Sequence, residues 1–298
     1  MSNLNAFVNP VVRGVINPNK TITYKKELHF DSRFRDNYGA PHTSAASFLY
    51  NLPEEIDNVV SLRLASIHVP NAILTISKAA GNNTLLVNDV LITIPNNNYT
   101  LKELRTTINN AIADIAPDSN LVFGPDDTNK PKTKITSDTP AVITFYEQNN
   151  CTNFMSTLGW LLGFRVSSVL VDNTTSFTSS GLYDNSFTDY LYFAVDDYQR
   201  NMSNNNTVYL NKTTINKNIL GKIYRSPLSG TYFLNNANTS TGYETDKHRI
   251  YFGPVRLSKF KFSLLDKFGN LVDMSNMDYS FTLEAEVLYD RNNVTIPC

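Results

Sequence analysis

Apolar and polar residues alternate in short runs along most of the chain. The strongest run is VVSLRLASIHV, residues 59–69. Val60, Leu62 and Leu64 share one face of an extended strand, and Ile67 and Val69 continue after the phase slips at Ala65-Ser66. A one-residue slip inside a strand predicts a β-bulge, because side chains alternate faces with a period of two. In TLLVNDVLITI, 84–94, two apolar runs flank Asn88-Asp89, a pair that tolerates the backbone of a tight hairpin turn. Further strands are expected at Lys132–Thr136, Ala141–Tyr146, Tyr190–Val195, Thr207–Leu210, Tyr251–Phe252, Arg256–Leu265 and Tyr279–Tyr289. In the last two, Phe260, Phe262 and Leu264 alternate with Lys259, Lys261 and Ser263. Likewise Tyr279, Phe281, Leu283 and Ala285 alternate with Ser280, Thr282, Glu284 and Glu286. Each strand should therefore bury one face. Asp266–Asn270 reads as a turn between them, which suggests a hairpin-like pair on a sandwich.

The period changes once. Thr100 and Glu103 match a capping box, and Leu101, Leu104, Ile108, Ile112 and Ile115 follow at steps of three and four. This predicts one amphipathic helix of about four turns. The phrase LGWLLGFR, Leu158–Arg165, reads as a buried turn packed around Trp160. Its glycines do not follow a strand into a helix in the way phosphate binding requires.

Composition adds that polarity is carried by amides and hydroxyls more than by charge. Charged residues make up 18% and there are 38 Asn, a residue that favours turns. Polar loops are expected at 171–189, 196–206 and 234–247. The fold class that follows is mainly all-β, a jelly roll or β-sandwich with one amphipathic helix and long polar loops. Residues 1–25 read as an extended N-terminal arm and 26–298 as one jelly-roll-like domain. The segment 166–250 stays open between an insertion and a second part of the sandwich.

The net charge of −1 and pI near 6.4 give no reason to expect direct nucleic-acid contact. Cys151 and Cys298 do not make a disulfide framework, which points to a reducing compartment. The start MSNLNAFVNPVVRG lacks the pattern of a secretory leader, and no apolar run is long enough for a transmembrane segment. His29, His42, His68 and His248 have no metal-ligand spacing. The acidic pairs Glu54-Glu55, Asp126-Asp127 and Asp196-Asp197 read as solvated loop residues. Arg33 and Arg35, interleaved with Asp31 and Asp36, read as an ion-pair network. No catalytic, cofactor-binding or metal-binding residue is assigned, no cofactor or small-molecule substrate is expected, and an enzyme is not expected.

Four phrases, in order along the chain, carry a resemblance. They are Asp31-Ser32-Arg33-Phe34-Arg35 with Ser47-Phe48-Leu49-Tyr50-Asn51-Leu52-Pro53; the strand from Asn58 to Pro70-Asn71; Leu158–Phe164 following the Tyr99–Ile115 helix; and Leu265-Asp266 through Gly269-Asn270 to Asp278-Tyr279-Ser280-Phe281-Thr282-Leu283. Together they resemble minor capsid proteins of the nucleocytoplasmic large DNA viruses, the giant viruses. The resemblance implies a jelly-roll-based structural subunit that cements neighbouring capsomers. Its partners would be the major capsid protein and other minor capsid proteins, with self-association also compatible. Its location would be the capsid shell of the virion, assembled in the host cytoplasm. An alternative reading is a host-attachment or glycan-binding module in which Tyr183 and Tyr243 stack on sugars.

Overall fold

A computed structural model describes residues 22–36, 38–39, 44–115, 117, 120–129, 131–145, 154–184, 189–203, 206–210, 213–215, 218–225, 232–236 and 248–289. Residues 1–21 of the expected arm, His42, both cysteines and Tyr243 lie outside them. The strands are β1 (Thr23–Asp31), β2 (Ser47–Pro70), β3 (Thr84–Val87), β4 (Val90–Thr93), β5 (Leu121–Pro125), β6 (Thr133–Ser137), β7 (Ala141–Thr144) and β8 (Ser168–Val171). They continue with β9 (Phe177–Thr178), β10 (Tyr190–Asp196), β11 (Val208–Leu210), β12 (Thr213–Ile215), β13 (Ile219–Arg225), β14 (Tyr232–Asn236), β15 (Arg249–Leu265) and β16 (Ser280–Leu288). Helix α1 is Leu101–Ile115 and the short α2 is Leu158–Leu161.

The main sheet is built on β2. Its residues 59–68 pair with β16, which carries β1 on its far side. On the opposite edge of β2, residues 47–62 pair with β15 and 66–70 with β14. The order β2-β14-β13-β10-β15 returns to β2, so the sheet closes on itself. Asn58 has a left-handed φ of 60°, a conformation asparagine tolerates better than most residues, and sits where the register of β2 against β15 shifts between Ile56 and Val59. The closed sheet is flattened into two layers whose rings meet in the middle. Phe30 of β1 lies 5.0 Å from Phe262 of β15 and 5.2 Å from Phe281 of β16. Phe193 of β10 lies 4.8 Å from Phe281. This is the all-β sandwich that the alternating pattern predicts.

A second core is built from 76–171. The sheet β4-β3-β7-β8 and the sheet β5-β6-β9 enclose it with α1 and α2. The hairpin turn at Asn88-Asp89 has both residues at positive φ, 47° and 64°. The capping box is formed: Thr100 N–H donates to Glu103 Oε2, and Glu103 N–H donates back to Thr100 Oγ1. Leu104, Ile108 and Ile112 are buried, whereas Ile115, expected on the same stripe, is exposed because the helix ends there.

Some expectations hold and others are corrected. The bulge at Ala65 is present, since Thr282 pairs with Ser66 and Leu283 with Leu64. A second register shift at Val60 moves the inward phase, so Val59 rather than Val60 is fully buried beside Leu62. Tyr251–Phe252 and Arg256–Leu265 belong to one long strand, β15. The last two strands do not pair with each other as a hairpin; β15 and β16 flank β2 from its two edges. Among the described residues, no helix is long and apolar enough to cross a membrane.

Candidate functional site

The 3-10 turn Ser32–Phe34 follows β1 directly. Asp31 caps it by accepting from Arg33 N–H, and Arg33 binds both oxygens of the same carboxylate. The guanidinium holds the Asp31 carboxyl below its usual range. The turn is then clasped to the segment before β16. Ser32 N–H donates to Tyr279 C=O at 2.9 Å, and Tyr279 N–H donates to Ser32 Oγ at 3.0 Å. Ser32 Oγ donates to Asp278 Oδ1 at 2.7 Å, and Arg35 Nη1 reaches the same oxygen at 2.6 Å. Tyr38 hydroxyl donates to Asp278 Oδ2, and the Arg35 guanidinium lies 4.1 Å from the Tyr38 ring. The two phrases are some 240 residues apart in sequence, yet they close one joint. Of the expected ion-pair network, Arg33 pairs with Asp31, whereas Arg35 pairs with Asp278 and Asp36 accepts from Asn51.

The outer face of β1-β16-β2 carries the residues that alternate with the core. Register places His29, Thr282 and Ser66 in one cross-strand row, and Asp31, Ser280 and His68 in the next. Further along lie Glu27, Glu284 and Arg63. Glu284 receives two hydrogen bonds from Arg63, at 2.9 and 2.7 Å, and an ion pair from Lys25 at 3.0 Å. Arg63 first, and Lys25 after it, pull its carboxyl down to about 2. His29 and His68 thus belong to this exposed face, and His29 Nδ1 lies 3.0 Å from Thr282 Oγ1.

The acidic pairs do not share one fate. Asp197 is buried, not solvated: it accepts from Arg249 Nη1 at 2.7 Å and from Tyr251 hydroxyl at 2.5 Å. Arg249 also donates to the carbonyls of Val195 and Asn218. Burial, with Asp197 alongside, pushes the Tyr251 hydroxyl far up. More than fifty residues separate Asp197 from these partners, so no local pattern announces the cluster. Glu54-Glu55 lie in β2 rather than in a loop, and Asp126 fastens its loop through Thr128 and Asn129. Among the described residues, no group of three or more His, Cys, Asp or Glu is placed to hold a metal.

In the Leu158–Phe164 phrase, Leu158, Leu161, Leu162 and Phe164 are buried. Trp160 is half-buried rather than at the centre, stacked 3.8 Å beneath the Arg165 guanidinium. Tyr183 is not a free platform: its hydroxyl donates to Tyr99 C=O at 2.8 Å, and burial raises it to about 12. The second core also presents a bare outer face. No strand of β4-β3-β7-β8 contains a charged residue. Leu91 pairs with Leu86 and Val142 with Leu170 across its rows, with Leu91 56% and Leu170 63% exposed.

Fold and surface together define a two-layered antiparallel β protein with a smaller β/α unit inserted between β2 and β10. No known family model matches the chain, and no curated protein matches it. Among solved structures, the chain is similar to the mavirus penton protein, at 13% identity and a TM-score of 0.42, over 90% of this chain and all of that one. At this level of similarity nothing about function passes from that protein to this chain.

Proposed function

We propose that the chain is a structural capsid subunit of a large DNA virus, a minor capsid protein that cements neighbouring capsomers rather than a catalyst. The observation that carries this reading is the clasp. The Asp31–Arg35 and Asp278–Leu283 phrases, which supply the first and last parts of the family resemblance, are hydrogen-bonded to each other at the end of the adjacent strands β1 and β16. The clasp is made of hydrogen bonds and one ion pair between side chains and backbone of the chain itself, a structural joint rather than a reaction centre. The uncharged face of β4-β3-β7-β8 supports the same reading, because contiguous exposed apolar surface is characteristic of proteins that contact other proteins. On this reading the partners are the major capsid protein and other minor capsid proteins, the location is the virion shell, and assembly takes place in the host cytoplasm. The test is the protein composition of purified particles stripped of envelope and fibres. Retention in the bare shell, with cross-links to the major capsid protein, is expected; loss of the protein with the stripped layers refutes the reading.

A further inference from the structure

Outside the clasp, the His29–Thr282–Ser66 and Asp31–Ser280–His68 rows border an open cleft of about 460 Å³. Strands lie about 4.8 Å apart and alternate residues on one face about 7 Å apart, so the two rows cover roughly the footprint of one hexose ring. Their chemistry is uniform. Three hydroxyls, of Thr282, Ser66 and Ser280, both donate and accept hydrogen bonds, and His29 beside them lies 3.0 Å from Thr282 Oγ1 and 3.7 Å from the Glu27 carboxylate. The one carboxylate, Asp31, is already bound by Arg33 through both of its oxygens. The Lys25, Arg63 and Glu284 charges lie further along the face and satisfy one another. On the wall stands Phe34, 73% exposed although it is a large apolar ring at the end of a turn fixed by the clasp. A flat ring beside paired donors and acceptors suits a ligand with one apolar face and a rim of hydroxyls.

We propose that this cleft binds a neutral monosaccharide unit of a glycan, with Phe34 stacking on the ring face and the hydroxyls of Thr282, Ser66 and Ser280 meeting those of the sugar. This is a second activity, independent of the capsid reading, and it is tested on the isolated chain. Amide chemical shifts of the full chain are followed while galactose, glucose, mannose and N-acetylglucosamine are titrated separately to concentrations on the order of 10 mM, since single-sugar contacts of this size bind with dissociation constants on the order of 1 mM. At least one sugar is expected to move the signals of residues 29, 66, 280 and 282. Phe34→Ala and Thr282→Val are each expected to weaken that binding by about tenfold or more without changing the melting temperature. If none of the four sugars moves those signals, or if binding survives both substitutions, the proposal is overturned.

Discussion

Asp278→Ala tests whether the clasp is one energetic unit. Asp278 accepts from Ser32, Arg35 and Tyr38, and the side chains of Arg35 and Asp278 are only 9% and 14% exposed. Removing the carboxylate leaves the buried Arg35 charge without its counter-ion, with only the Ser32 carbonyl and the Tyr38 ring beside it, and takes the acceptor from the Ser32 hydroxyl. Breaking a buried ion pair by deleting one partner costs about 3–5 kcal/mol. The residual exposure of both groups places this one near the lower end, about 3 kcal/mol. For a chain of this size, each kcal/mol lowers the melting temperature by about 2–4 °C, so a fall of about 10 °C or somewhat less is expected. Arg35→Ala should cost less, because Asp278 keeps Ser32 and Tyr38 as donors. The double variant should be little worse than Asp278→Ala alone, leaving a coupling energy of about 1–3 kcal/mol. Denaturant unfolding of the four proteins measures this, and amide exchange at Ser32 and Tyr279 should quicken in both single variants. Strictly additive losses, with coupling below about 0.5 kcal/mol, would show that the two phrases are neighbours without being a joint.

Other outcomes follow from the same geometry. The Glu284 carboxyl is depressed to about 2 from 4.5 by Arg63 and Lys25, so its stabilisation is fully present above pH 4.5 and is lost as the pH falls towards 2; Glu284→Gln should flatten that part of a stability-against-pH curve. Asp197→Ala, which leaves the buried Arg249 charge without its counter-ion, should cost about 3–5 kcal/mol, whereas Arg256→Ala, whose pairing with Glu55 and Asp57 is exposed, should cost far less; equal losses in chemical denaturation would contradict the burial of the first pair. Gly163 has φ +94° and a Cβ there would lie 2.3 Å from Gly181 O, so Gly163→Ala should destabilise the inserted unit by at least about 2 kcal/mol, measured as faster proteolysis between residues 76 and 171.

How far the sequence reaches depends on the range of the interaction. Features set by neighbouring residues were legible: the hairpin turn at Asn88-Asp89, the capping box of Thr100 and Glu103, the bulge at Ala65, and the alternating faces of β15 and β16. Each is decided within a few positions by backbone sterics or by the period of a strand or helix. The all-β class follows from their sum. The sequence could not say that β15 and β16 sit on opposite edges of β2, because alternation records which face is wet and not which strand is the neighbour. Nor could it show the second shift at Val60, since Val59 and Val60 are equally apolar and only pairing with β16 chooses between them. Asp197 read as a loop acid because its partners, Arg249 and Tyr251, are supplied by a strand far along the chain. The polar cleft is the same case. His29, Ser66, His68, Ser280 and Thr282 are ordinary outward residues of three separate strands. Only the register of β1, β16 and β2 lays them side by side, and only the clasp through Asp278 sets Phe34 at their edge.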